Sequence, residues 1–217
     1  MIHRLCILTL LTMSTLCAAS ETQLRPLEIN HRADILQRGA ETIAGVCMSC
    51  HDLKYLHYRD LLSIGLSQKA VDSYRGELSL EAPLLSSMSA DQRKAMFGLV
   101  PPDLSMMARA REGGARYIYT LLTSFHTTEA GGVDNSLFPG IKMPDILSYS
   151  SAEDPEAIRK TAREAAIFLD WAADPHADER HTLGYYVLAY LGVLTLLLYL
   201  LKCRIWQRLD APDSKSA

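Results

Sequence analysis

Cys47-Met48-Ser49-Cys50-His51 is the stretch whose reading decides the fold. It has the form C-x-x-C-H, the attachment signature of a c-type haem. Two thiols three positions apart can each form a thioether to one vinyl group of a single haem. The histidine one step further on then lies under the iron as proximal ligand. A bare C-x-x-C is also compatible with a redox dithiol or with half of a zinc site, and the adjacent histidine is what favours haem.

The remaining cysteines support that reading. The chain of 217 residues has five cysteines, and only Cys47 and Cys50 fall in its central portion. Cys6 and Cys17 lie in an N-terminal apolar segment, and Cys203 follows an apolar run near the C-terminus. No disulfide framework is available apart from the pair itself. A zinc finger lacks its second pair of ligands, because there is no other C-x-x-C and no H-x-x-x-H.

The ends of the chain read as an export signal and a membrane anchor. His3 and Arg4 precede an apolar core, Leu5 to Leu16, too short to span a bilayer, and Ala18, Ala19 and Ser20 follow. Residues 1–20 are therefore expected to be a cleaved signal peptide, with an uncleaved anchor as the other reading. Residues 183–201 are nineteen residues without a charge. As a helix they rise about 28 Å, close to the thickness of the hydrocarbon layer. Tyr185 and Tyr186 suit one interface, and Lys202, Arg204, Trp206 and Arg208 suit the other. Their positive charge assigns the tail, 202–217, to the cytoplasm. The export signal independently assigns residues 21–182 to the opposite side, so a periplasmic domain and a single pass through the inner membrane, in contact with its lipid, are expected.

Charge narrows the partners. From 21 to 181, 23 acidic residues face 17 basic ones. This excess speaks against a nucleic-acid partner and suits a cationic protein partner.

The pattern between the two ends predicts a mostly α-helical domain. Ile35, Leu36, Ile43 and Ala44 mark a helix over 31–46 that delivers Cys47 to the crevice. Residues 53–59 are expected to continue along one haem edge, with His57 too close to His51 to reach the other face of the iron. Residues 63–96 read as loop and short helix. Pro101-Pro102 predicts an extended strip that opens a helix at Pro102 or Asp103. A further helix carries Ile118, Leu121, Leu122 and Phe125, and residues 126–140 read as a long loop. Asp154-Pro155 predicts an N-cap and first turn, with Ile158, Ala162, Ala165, Leu169 and Ala172 on the buried face of the helix that follows.

Taken in order, several blocks resemble the cytochrome c1 family, the haem subunits of ubiquinol–cytochrome c reductase. They are Val46-Cys47 through His51 with Tyr58-Arg59; Pro101-Pro102-Asp103-Leu104-Ser105; Ala110 to Gly114; Tyr117 to Thr123; Phe138-Pro139-Gly140; Met143-Pro144; Phe168 to Ala173; and the C-terminal anchor. The resemblance spans roughly residues 35–208 and is weakest over 60–96. The chain departs from the family pattern at Phe97, at Ser124-Phe125 and at Asp145-Ile146, and its segment between His51 and Pro101 is short.

The resemblance implies a cytochrome c-type haem domain with one C-terminal transmembrane helix and one covalently attached haem c. It implies His51 as proximal and Met143 as distal iron ligand. It implies Arg111 as the partner of a haem propionate, with Tyr117 beside it, and Pro101 and Pro102 as lining of the haem. The implied partners are a cytochrome b subunit, a Rieske iron–sulfur protein as electron donor and a cytochrome c as acceptor.

Chemistry read from the residues is compatible with this. A haem held by imidazole and thioether has both axial positions filled, which favours electron transfer over substrate binding. Met88, Met96, Met106, Met107 and Met143 are the competing sulfurs, and Met106 and Met107 read more simply as helix core residues. Met143 lies in a loop bounded by proline and glycine, far enough along the chain to close over the haem. Arg111 also reads as a solvated cation at a helix end. Three other functions remain open on the residues alone: a free-standing membrane-anchored c-type electron shuttle, a haem peroxidase or gas sensor, and a thiol oxidoreductase using Cys47 and Cys50.

Overall fold

The computed structural model describes residues 23–150 and 154–209; the expected signal segment 1–20 and the end of the tail lie outside the described residues. In chain order come α1 (Ala33–Gly45), a 3-10 turn at Cys47–Ser49, β1 (Leu53–His57), α2 (Asp60–Ser63), α3 (Gln68–Arg75), β2 (Pro83–Leu84) and α4 (Ala90–Phe97). There follow α5 (Met107–Ala110), α6 (Ala115–Leu122), β3 (Phe125–Thr127), β4 (Val133–Asn135), α7 (Ile146–Ser150), α8 (Pro155–Ala172) and α9 (Ala177–Leu209). The chain is mostly helical, as the sequence predicts.

The core forms where α1 crosses α8. Leu36, Gly39, Ala40 and Ile43 make the buried stripe of α1, spaced at three and four residues so that they share one face. Ala162, Ala165, Ala166, Phe168 and Leu169 make the buried side of α8. Gly39 permits the close approach: a Cβ there would stand 2.3 Å from the Glu164 carbonyl oxygen and 2.6 Å from the Phe168 Cβ. Arg38 locks the crossing from the side, donating from Nε to Glu164 Oε1 at 2.6 Å. Phe168 and Ile43 are fully buried, each contributing roughly 1.5–3 kcal/mol of transfer free energy. The predicted start of α8 is present: Asp154 caps it, accepting the Glu156 N–H at 3.0 Å, and Pro155 fills the first turn.

Four expectations are corrected. Pro101 and Pro102 do not open a helix, and the next helical turn begins only at Met107. Residues 101–104 form no regular element: the carboxylate of Asp103 ties them to β1, accepting the Lys54 N–H at 3.0 Å as well as the local Ser105 N–H at 2.9 Å. Met106 is accordingly an exposed residue ahead of α5 and not a core residue. The stretch 126–140 is not all loop: β3 and β4 pair antiparallel, with Phe125 opposite Asn135 and Thr127 opposite Val133. Phe125 therefore belongs to a strand rather than to the helix, which stops at Leu122.

Residues 53–57 form a strand, β1, paired antiparallel with the two-residue β2 at Leu53–Leu84 and His57–Pro83. Between these strands and beyond, the stretch 60–97 holds three short helices, more order than its polar composition implies.

From Asp174 onward the chain forms a second compact unit. Among the described residues it is built on α9, 33 residues long, or about 50 Å at 1.5 Å per residue. The helix is long and apolar enough to cross a membrane. The large apolar side chains from Leu183 to Leu201 are exposed. At its start Arg180 donates to both carboxylate oxygens of Asp174.

Candidate functional site

The 3-10 turn at Cys47–Ser49 follows α1 after a single residue, Val46. Ser49 Oγ donates to the Val46 carbonyl at 2.7 Å, and the His51 N–H returns to the Cys47 carbonyl at 2.9 Å. This tight turn presents Cys47, Cys50 and His51 to one cavity of about 310 Å³, near the lower end of the ~300–1,000 Å³ range of ligand sites.

All eight residues singled out in the sequence line that cavity: Cys47, Cys50, His51, Pro101, Pro102, Arg111, Tyr117 and Met143. Its walls are otherwise largely apolar, with Ile43, Leu99, Leu104, Ile118, Phe138 and Leu169 among them. Of the competing methionines Met107 also lines it, whereas Met88, Met96 and Met106 do not. His57 stands away from the cavity and faces Asp60, Nδ1 to Oδ2 3.5 Å.

The imidazole of His51 is fixed by one hydrogen bond. Its Nδ1 lies 2.7 Å from the Pro102 carbonyl oxygen. A carbonyl can only accept, so Nδ1 carries the proton and Nε2 keeps its lone pair. Burial pushes the His51 pKa below its ordinary value, against the raising effect of that carbonyl, which keeps the ring neutral at pH 7. A neutral imidazole with its second nitrogen anchored is the usual state of a metal-binding histidine.

The two thiols are free and not paired in a disulfide. Burial, and then the neighbouring Cys50, push the Cys47 pKa up to about 12. A thiol so held is protonated at neutral pH and is a poor nucleophile for disulfide exchange.

Arg111 opens the turn between α5 and α6, and Tyr117 lies in the first turn of α6. Gly113 and Gly114 take φ of +85° and +54° there, a conformation open to glycine at little cost. The Arg111 guanidinium then lies 5.8 Å from the centre of the Tyr117 ring, within cation–π range. Arg111 is exposed, and Lys142 is a second exposed cation on the lining. The loop bearing Met143 is set by Asp134, whose carboxylate accepts the Asn135 N–H at 2.8 Å and the Gly140 N–H at 2.7 Å.

This donor set fits a haem. Two thiols, a neutral imidazole and a thioether border an apolar cavity suited to a flat macrocycle, and two cations at its lining suit carboxylate groups. Among the described residues no cluster of three or more His, Cys, Asp or Glu side chains offers a conventional metal site.

Sequence reasoning passed over Arg93, which is buried and hydrogen-bonds to the Cys50 carbonyl at 3.0 Å and to Asp52 at 2.8 Å. Ser89-x-x-Gln92 is a capping box that signals the start of α4, the helix bearing Arg93. Nothing in the local pattern indicates what that helix packs against.

The sequence matches the Cytochrome C1 family over residues 27–97 and 79–209. A cytochrome c1 from Rhodospirillum rubrum is 32% identical over 222 residues, covering 79% of this chain and 80% of that one. A cytochrome c1 from Allochromatium vinosum is 31% identical, covering 79% and 83%. A mitochondrial cytochrome c1 haem protein from Solanum tuberosum is 29% identical, covering 80% and 77%.

Proposed function

The chain belongs to the cytochrome C1 family, and from that premise we propose that it is the membrane-anchored c-type cytochrome of a quinol–cytochrome c reductase. In this reading it takes single electrons from a Rieske iron–sulfur protein and passes them to a cytochrome c. A cytochrome b subunit is its neighbour in the membrane, and the chain has no enzymatic activity on its own. The observation that supports this most is the gathering of Cys47, Cys50, His51 and Met143 on one apolar cavity, from segments almost a hundred residues apart.

In the proposed arrangement Cys47 and Cys50 would hold one haem c by thioether bonds, and His51 Nε2 and the Met143 sulfur would ligate its iron. When bound, the haem supplies a one-electron ferric–ferrous couple. The chain's own contribution is to hold and tune it. Pro102 orients His51 through its carbonyl. Pro101, with Leu99 and Phe138, excludes water. Arg111, with Tyr117 against its guanidinium, offers its charge to a propionate.

The proposed organisation is a signal peptide at 1–20, a periplasmic haem domain at 21–182, a transmembrane helix at 183–201 and a cytoplasmic tail at 202–217. The apolar exposed face of α9 supports the span, and the positive charge after Leu201 supports the orientation.

The deciding experiment is haem staining of the full-length chain on a denaturing gel, together with purification from solubilised membranes. The expected result is a stained band that is lost in Cys47→Ser and Cys50→Ser and that co-purifies with a b-type haem protein. An unstained band overturns the proposal and leaves a thiol oxidoreductase. A stained band purifying alone leaves a free-standing shuttle, and carbon monoxide binding by the reduced wild type would point to a peroxidase or gas sensor.

A further inference from the structure

Helix α4 places a buried cation behind the haem-binding turn. Only 6% of the Arg93 side chain is exposed. Its fork grips two points that flank His51: Nη1 donates to the Cys50 carbonyl at 3.0 Å and Nη2 to Asp52 Oδ2 at 2.8 Å. Nε is buried without a hydrogen-bond partner. A buried guanidinium with an unsatisfied donor is costly, and a purely structural tie would be met as well by a neutral side chain.

The surroundings hold this cation in one place. The capping box of α4 sets the helix: Ser89 Oγ accepts the Gln92 N–H at 3.2 Å, and Gln92 Oε1 accepts the Ser89 N–H at 2.8 Å. Asp52 is held from three directions. Oδ1 accepts the Ser86 N–H at 2.8 Å, Oδ2 takes Arg93, and its backbone carbonyl accepts the Leu104 N–H at 2.8 Å. That last bond joins the turn to the strip carrying Pro102, the hydrogen-bond partner of His51.

We propose that Arg93 is a positioning residue for His51, and that the Arg93–Asp52 pair sets the reduction potential of the group bound there by two opposed charges. The inference rests on the haem reading above. A fixed cation disfavours the ferric state, which carries one more positive charge, and so raises the potential; a fixed anion lowers it. Arg93 is buried and Asp52 partly so, so salt screens the pair less than surface charges.

The test is a redox titration of the haem absorbance in solubilised membranes carrying the full-length chain as wild type, R93Q, R93K, D52N and R93Q/D52N. The expected result is a lower potential in R93Q, a higher one in D52N, an intermediate value in the double variant, and a value nearer wild type in R93K than in R93Q. Asn at position 52 has the shape of Asp and keeps one of its two acceptor oxygens, so D52N removes the charge and one of the two hydrogen bonds with little change of shape. Shifts of the same sign in R93Q and D52N, or equal shifts in R93Q and R93K, overturn the proposal and leave Arg93 as packing. Should R93Q fail to accumulate haem-stained protein, D52N decides: a rise upholds the proposal, and an unchanged or lower potential overturns it. A wild type without stained haem defeats the haem reading itself, whereas a stained wild type with unshifted variants defeats only this inference.

Discussion

Nδ1 of His51 lies 2.7 Å from the carbonyl oxygen of Pro102, so a residue 51 positions away selects the tautomer of the imidazole. The carbonyl sits in an extended strip whose register is set by backbone bonds to the turn, Leu104 N–H to the Asp52 carbonyl, and by Asp103 accepting the Lys54 N–H. The strip and the turn are thus one hydrogen-bonded unit, and the orientation of His51 depends on the stiffness of both.

Pro102→Gly tests that stiffness. It keeps the carbonyl but frees the backbone, and the added freedom of the unfolded chain costs about 1 kcal/mol. For a chain of this size that is a fall of about 2–4 °C in the thermal midpoint. Calorimetry of the haem-loaded protein checks it, and an unchanged midpoint would show that the strip is held by its neighbours and not by its prolines.

Gly39→Ala should be far more damaging than Gly45→Ala, although both lie in α1. A methyl at Gly39 meets the Glu164 carbonyl oxygen and the Phe168 Cβ well inside contact distance, while a methyl at Gly45 meets nothing within 4 Å. The first change forces α1 and α8 apart, for about 1–3 kcal/mol. The second should be neutral or stabilising by up to about 1 kcal/mol, through helix propensity. Denaturant midpoints of the two variants decide, and equal effects would contradict the close crossing.

The parts legible in the sequence were those with a local physical cause. The α1 stripe, the Asp154 cap with Pro155, and the uncharged run after Thr182 each follow from periodicity, capping chemistry or composition. The eight candidate residues could be named from motif and resemblance, and the fold brings them to one cavity. What stayed hidden depends on distant partners. Asp103 looks like a helix cap, yet Lys54, 49 positions away, takes its carboxylate. The β3–β4 hairpin joins strands of three residues, too short for alternation to show. Arg93 reads as one more surface charge until α4 is seen packed behind Cys50.

Asp134 should give the Met143 loop an acid-sensitive anchor. The Asn135 N–H, then the Gly140 N–H, hold its carboxyl below the ordinary value near 3.8. Because the folded pKa is depressed, its stabilising contribution is complete above the unfolded value and is lost as pH falls through the folded one. The gap in thermal midpoint between wild type and Asp134→Ala should therefore be constant above about pH 5 and shrink below about pH 4. A gap independent of pH across that window would mean that the carboxylate charge plays no part.

Met143→Leu is the sharpest test of the proposed axial ligand. Met143 is half-buried, packs against the core and shares the cavity with His51. Leucine nearly preserves the volume while removing the sulfur, so packing should change by less than about 1.5 kcal/mol. Thioether ligation favours ferrous iron, so its loss should lower the reduction potential. Each ~59 mV of a one-electron potential is a tenfold change in equilibrium, or about 1.4 kcal/mol. A fall of several such steps would make reduction by a Rieske-type donor, whose potential reaches about +300 mV, unfavourable. The reduced variant should also bind carbon monoxide, and the reduced wild type should not. Met107 is the other methionine on the cavity lining. If Met143→Leu keeps both its potential and its exclusion of carbon monoxide while Met107→Leu loses both, the sulfur ligand comes from α5, and the loop anchored by Asp134 only covers the cavity.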